Sequence, residues 1–371
     1  MFNDQPNPNW QSDDYQQARS NFLSACWDAD VEVKSYVHPL QDSDNRELAT
    51  DVARFGLPDA TKLLVMVSGV HGVEGFSGSA TQVGWIEEQR HSELPKDTAV
   101  IMIHLINPWG AAYLRRYNED NVDLCRNCLD FSQPLPRNES YADVHSEMVL
   151  GEELGIQGQN AGEYLGSKVS ELGLESTIDL FMGGQYDFSD GFSFGGQEAV
   201  WSNTVLRKIL SDHNEHVLKV CALEFHTGLG PWGYGALITM HTGRELERIN
   251  SWFGPWTMSP MEDAAQGDNK LHKVNGHTIN AYTESFPEAE VSAVTLEFGS
   301  YPSGETLALM LQEHLLVQSP DHCESGLLSD VKAKMLEYHH PQDWEWRSSF
   351  WCRSMQVIRQ ALNGLARDNA G

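Results

Sequence analysis

The sequence predicts an α/β protein: a three-layer α/β/α sandwich with a mixed, mostly parallel central sheet. Three observations lead there. Short apolar runs rich in β-branched residues recur along the chain, the composition of strands covered on both faces. Stretches with helical spacing separate them, so the strands are joined by crossovers rather than hairpins. The residues able to do chemistry sit where the runs end, the edge at which open α/β sheets place their ligands.

The elements follow in order. A helix is expected near 13–28 and a strand near 63–68, where Leu63 to Val67 is continuous and apolar. Gly69, Gly72 and Gly75 then let the backbone turn sharply before a helix over 76–90. Further strands are expected near 98–106, 216–225, 236–241 and 292–298, with helices near 141–154, 197–213, 244–253, 303–317 and 324–338. From Pro341 to Ala370 the residues Trp344, Trp346, Phe350, Trp351, Met355, Ile358 and Leu362 recur at threes and fours, an amphipathic helix with an aromatic stripe. This pattern divides the chain into a main domain over 1–330 and a C-terminal helical extension over 331–371. The glycine- and aromatic-rich stretch 183–196 and the loop Gly228 to Gly235 are candidates to line a cleft.

Composition bounds the function. With 371 residues, 40% of them hydrophobic, the chain can bury a substantial core. Its 53 acids against 25 basic residues give a net charge of −28, a field that repels nucleic acid and anionic membranes and excludes both as partners. The start has no basic region followed by an apolar one, and no apolar run reaches membrane-spanning length, so a cytoplasmic protein is expected. The six cysteines lack regular spacing, as suits a reducing compartment. Cys125 and Cys128 form a Cys-x-x-Cys in a loop of Asn, Asp and Arg, with no second pair for a structural zinc and no strand-to-helix context for a redox pair; they read as ordinary thiols.

Three strand ends carry the chemistry. After the first come His71 and Glu74, three residues apart in a tight turn and able to close on one ion. After the run ending Leu223-Glu224-Phe225 comes His226, the third member of a two-imidazole, one-carboxylate set; with a fourth position left open, this suits a catalytic zinc. Glu224 is either an acceptor fixing the His226 tautomer or a simple ion-pair partner. Val291 to Phe298 ends in Glu297, a carboxylate whose burial would raise its pKa toward the working range of a general acid/base. Taken singly, His71 reads as an ordinary loop histidine and Glu74 as a first-turn acid that complements a helix dipole. His241, His272, His339 and His340, also taken singly, read as surface or capped imidazoles.

A fourth segment completes a resemblance. Ile106-Asn107-Pro108-Trp109-Gly110 is followed by Leu114-Arg115-Arg116-Tyr117-Asn118-Glu119-Asp120-Asn121-Val122-Asp123-Leu124-Cys125-Arg126-Asn127. With His71-x-x-Glu74, His226 and Glu297 in this order over roughly 60–300, the chain resembles the zinc carboxypeptidase family of carboxypeptidase A-like metallohydrolases, in a bacterial branch of unknown function. The resemblance implies that His71, Glu74 and His226 hold Zn2+ and that Glu297 is the general base. Arg126 would grip a substrate carboxylate, and Arg116 or its neighbour Arg115 would polarise the scissile carbonyl. Asn118 lies in the same arginine-bearing stretch and counts with it toward substrate. Cys125 stands where the family shows Asn, which alters the hydrogen bonds available to a terminal carboxylate. The family's tyrosine corresponds to Tyr282 or Tyr234. The implied function is zinc-dependent cleavage of an amide bond in a small peptide. The alternatives are deacylation of acyl-amino acids, as in the related aspartoacylase and succinylglutamate desuccinylase group, and a binding module on a degenerate hydrolase scaffold.

Overall fold

The computed structural model describes residues 5–154, 161–265, 274–318 and 326–367. Seven strands form one sheet: β1 (Val33–Gln41), β2 (Glu47–Phe55), β3 (Lys62–Ser68), β4 (Thr98–His104), β5 (Lys219–Thr227), β6 (Gly235–Ile238) and β7 (Glu290–Phe298). Their order is β1-β2-β4-β3-β5-β7-β6. The central strands β4, β3, β5 and β7 are mutually parallel, and the flanking β1, β2 and β6 join antiparallel. A mixed sheet with a parallel centre is what the runs of Leu, Ile and Val require, because such strands must be covered on both faces.

The pleat sorts each central strand between two cores. Leu64 and Met66 of β3, Cys221, Leu223 and Phe225 of β5, and Val294, Leu296 and Phe298 of β7 enter one cluster, with Phe22, Trp85, Trp346, Phe350 and Trp351 from the helices Tyr15–Asp28, Gly75–Glu87 and Trp344–Ala366. Leu63, Val65, Val67, Val220, Ala222, Val291 and Ala293 enter the other, with Leu206 and Ile209 from Trp201–Asp212 and Ala281 and Tyr282 from Ile279–Ser285. Because side chains alternate along a strand, Glu224, His226 and Glu297 fall on this second face. A third cluster gathers the helices Leu174–Met182, Ser303–Gln318 and Leu327–His339. The aromatic stripe of the last helix docks on its own chain, in the same core as β3 and β5.

Several elements depart from the sequence expectation. β1 and β2 were not predicted, because charged residues interrupt them. Asp51 of β2 is fully buried, held by Arg19 Nε at 2.8 Å and by the Ser35 hydroxyl at 2.5 Å, so a polar residue occupies a core position and hides the strand pattern. Short helices at Ala161–Leu172, Leu174–Met182, Pro260–Ala265 and Ile279–Ser285 were likewise not foreseen. The strand expected over 216–225 runs over Lys219–Thr227, which puts His226 inside it rather than after it. His241, His339 and His340 are buried, not at the surface, and His272 lies outside the described residues. Among the described residues no helix is long and apolar enough to cross a membrane.

Candidate functional site

The turn after β3 is built from close backbone approaches. Gly69 sits at φ +71°, and a Cβ on Gly72 would lie 2.1 Å from the Gly110 carbonyl carbon. His71 precedes a single 3-10 turn, Gly72–Glu74, which brings its side chain and that of Glu74 to the same side. The Asn107 side chain accepts from Gly110 N–H at 2.9 Å and caps the helix Pro108–Ala112. The chain returning from that helix lies against the turn, where Gly72 and Val73 N–H donate to the Arg116 and Arg115 carbonyls at 3.2 and 2.9 Å. Arg116 thereby reaches Glu74, with Nη1 2.6 Å from Oε1.

The second contribution comes from the register of β5 and β7, where His226 and Glu297 are direct partners. His71 Nδ1 lies 3.0 Å from Glu74 Oε1. His226 Nδ1 lies 3.2 Å from Glu74 Oε2 and 3.2 Å from His71 Nδ1. Ligands held about 2.0–2.1 Å from a tetrahedral ion are separated by about 3.3 Å, close to the spacing of the two imidazole nitrogens; Glu74 meets each imidazole with a different oxygen, and its Oε1 is also held by Arg116. The remaining ring nitrogens are turned to acids. His71 Nε2 is 3.1 Å from Asp123 Oδ1, and His226 Nε2 is 3.4 Å from Glu224 Oε2, close to the carboxylate but without hydrogen-bond geometry. Carboxylates there favour the proton on both Nε2 atoms and leave both Nδ1 lone pairs facing one point, the arrangement in which acids orient metal-ligating imidazoles.

The electrostatics ask for a cation at that point. Burial alone would lower the His226 pKa, yet Glu224 and Glu74 overcome it and raise it to about 10. Glu74 is held well below the usual carboxylate range: burial opposes this, and His71 and Arg116 outweigh it. Asp123 is held down in the same way by Arg126 and Arg116. Glu297 goes the other way; burial first and the nearby Glu74 charge second lift it to about 7, with one oxygen accepting from Leu229 N–H at 3.1 Å.

His71, Glu74, His226, Glu297 and Arg116 line a cavity of about 310 Å3, together with Arg126, Cys125, His277 and His339. Cys125 Sγ lies within 4.8 Å of a ring nitrogen of both His71 and His226. Arg126 donates to the Cys125 and Met182 carbonyls, and its buried Nε has no partner. Other expected site residues fall elsewhere. Arg115 is buried in an ion pair, Nε 3.0 Å from Glu313 Oε1, so of the two arginines only Arg116 lines the cavity. Asn118 uses its side-chain oxygen to hold the loop, accepting from Val122 and Asp120 N–H at 2.7 and 3.1 Å. Neither tyrosine lines the cavity: Tyr282 is fully buried with its hydroxyl 2.7 Å from Glu224 Oε1, and Tyr234 is 57% exposed on a loop. The stretch 183–196 packs rather than lining the cleft, with Gly184 against the Arg126 side chain. Of the loop after β5, Gly228 and Leu229 line the cavity. His277 was missed and His339 was read as a surface or capped imidazole; a lone imidazole far from other motifs carries no sequence signal, and only the fold brings these two to the cleft.

The chain belongs to the family described as "Protein of unknown function (DUF2817)", whose model matches residues 11–353. No curated protein matches it in sequence. Among solved structures it is similar to bovine thrombin-activatable fibrinolysis inhibitor in complex with tick carboxypeptidase inhibitor, at 12% identity and TM-score 0.48, covering 90% of this chain and 98% of that one. It is also similar to murein-tripeptide amidase MpaA from Escherichia coli O157, at 12% identity and TM-score 0.34, covering 84% and 93%.

Proposed function

We propose that this chain is a zinc-dependent hydrolase that cleaves an amide bond in a small peptide or an acyl-amino acid, in the manner of a carboxypeptidase. The observation that carries the reading is the meeting of His71 Nδ1, His226 Nδ1 and Glu74 within 3.2 Å of one another at a cavity also lined by Glu297 and Arg116. When bound, the metal supplies Lewis-acid polarisation of the carbonyl and a more acidic water. Glu297, raised to about 7, is suited to accept a proton from the attacking water and return it to the departing nitrogen. Arg116, kept charged between Asp123 and Glu74, places a cation beside the developing oxyanion.

Metal analysis of the purified protein tests the site: about one zinc per chain is expected, lost in His71→Ala and in His226→Ala, and retention in both variants would remove the assignment. Glu297→Gln should keep the metal and lose turnover by at least a hundredfold. Assaying unblocked dipeptides against N-acetylated amino acids decides between peptidase and deacylase. A metal-filled protein that hydrolyses neither would leave the scaffold as a binding module.

A further inference from the structure

His277 stands in the cleft with its tautomer fixed by the backbone. Its Nδ1 accepts from Ile279 N–H at 3.2 Å, and the Thr278 hydroxyl lies 3.3 Å from the same nitrogen. A backbone N–H can only donate, so Nδ1 must carry a lone pair, and in the neutral ring the proton is then on Nε2. Burial keeps the ring neutral, lowering its pKa to about 4 against the opposing pull of Glu224. The ring lines the same cavity as the two imidazoles and Glu297. One of its nitrogens lies within 4.8 Å of Cys125 Sγ, which is itself within 4.8 Å of nitrogens of His71 and His226.

Cys125, Glu224 and His277 are close enough to suggest a second cation site. The hydrogen bonds argue against it. A metal on His277 Nε2 would force the proton onto Nδ1, against Ile279 N–H, and Glu224 is already engaged by the Tyr282 and Thr278 hydroxyls at 2.7 and 2.8 Å. What the ring offers is an N–H. Neither Tyr282 nor Tyr234 brings a hydroxyl to this cavity, so this wall lacks the phenolic donor that the sequence led one to expect.

We infer that His277 is a substrate-positioning residue whose fixed Nε2–H binds an oxygen acceptor of the substrate, a carbonyl or carboxylate, on the side of the cleft formed by Cys125 and Arg126. The inference rests on the proposed hydrolytic function for the identity of that acceptor, but the hydrogen-bond role is testable separately. If His277 only capped the helix Ile279–Ser285, its Nδ1 would be the atom that matters; if it reads substrate, Nε2 is. Two variants separate these. In His277→Asn the side-chain oxygen can still accept from Ile279 N–H, and the distal donor is lost; in His277→Gln the amide reaches the Nε2 position.

In the metal-loaded full chain, His277→Asn should match the wild type in melting temperature and zinc content while kcat/KM on the best substrate of the dipeptide and N-acetyl amino acid panel falls ten- to hundredfold, with Gln restoring part of it. An Asn variant with wild-type kcat/KM overturns the proposal. A readout that needs no turnover is the 15N spectrum of the ring. His277 should be protonated on Nε2 alone, and that N–H signal should shift when N-acetylated amino acids are added to the zinc-loaded Glu297→Gln protein. An Nδ1–H tautomer, or a signal that ignores every panel member, overturns it as well. A wild type that hydrolyses no panel member while the His277 signal still shifts would instead refute the hydrolase reading and leave the positioning role standing.

Discussion

Asp123 shows how much of the site depends on a residue that does not itself line the cavity. One of its oxygens receives the Nε2 proton of His71 at 3.1 Å and Cys125 N–H at 2.9 Å, and the other lies 3.4 Å from Arg116 Nε. It therefore orients a candidate ligand and balances a cation beside the cleft. Asp123→Asn is nearly isosteric and its amide oxygen can still accept, but it removes the charge that strengthens the hydrogen bond from His71 Nε2. Zinc affinity is expected to fall ten- to hundredfold in competition with a chelator, with the fold retained by circular dichroism. An affinity equal to wild type would show that the Nδ1 lone pair of His71 is set by something other than the charge of this carboxylate. Glu224 lies 3.4 Å from His226 Nε2 without hydrogen-bond geometry, so Glu224→Gln removes a nearby charge and should weaken binding in the same direction.

At the scale of elements, the site is a consequence of strand ends and one turn. Gly72 shows how tight that turn is, because a Cβ there would lie 2.1 Å from Gly110 C and 2.3 Å from Ala111 N, both backbone atoms that cannot swing aside. Gly72→Ala should cost about 1–3 kcal/mol in urea unfolding and displace His71 and Glu74 enough to lower zinc occupancy. Gly166, inside the helix Ala161–Leu172 with nothing within 4 Å of its would-be Cβ, is the control: Ala there should stabilise by about 0.5–1 kcal/mol and leave zinc untouched. The same elements explain what could be read from sequence. β3, β5 and β7 were legible because a strand covered on both faces must be apolar throughout, and their ends delivered His71, His226 and Glu297. β1 and β2 were not, since Asp51 is satisfied by Arg19 and Ser35, partners on other elements. Arg115 and Arg116 are adjacent in a loop, and only the fold sends one to Glu313 and the other to Glu74. Tyr282 is in the expected interval, but Glu224 draws its hydroxyl into the core.

For the whole molecule, the distribution of histidines makes stability depend on pH. His104 and His314 have pKa values pushed down to about 3, His241 to about 4, and His340 well below its usual value, in each case chiefly by burial. His104 Nδ1 and His314 Nδ1 have no hydrogen-bond partner, so a proton on either atom would be buried without an acceptor. Between their folded values and the unfolded value of about 6.5, the unfolded chain binds more protons, so stability rises with pH in that window and is lost as pH falls through it. At pH 5 each such ring costs about 2 kcal/mol. Glu297, raised to about 7, and His226, raised to about 10, bind protons more readily folded than unfolded and offset part of the loss. Glu74 and Asp123, held below the ordinary carboxylate range, contribute stability that is constant above about pH 4.5 and is lost only below it, so they leave this window alone. The four imidazoles outnumber the two opposing groups, so the metal-free protein should melt several degrees lower at pH 5 than at pH 7 by scanning calorimetry, at roughly 2 °C per uncompensated histidine. Zinc should steepen the fall, because protons compete with the metal for His226 and the stabilisation from bound metal is lost as it dissociates. A metal-free melting temperature that stays flat from pH 7 to pH 5 would mean that these rings accept protons without unfolding, and that the packing around them is looser than their burial implies.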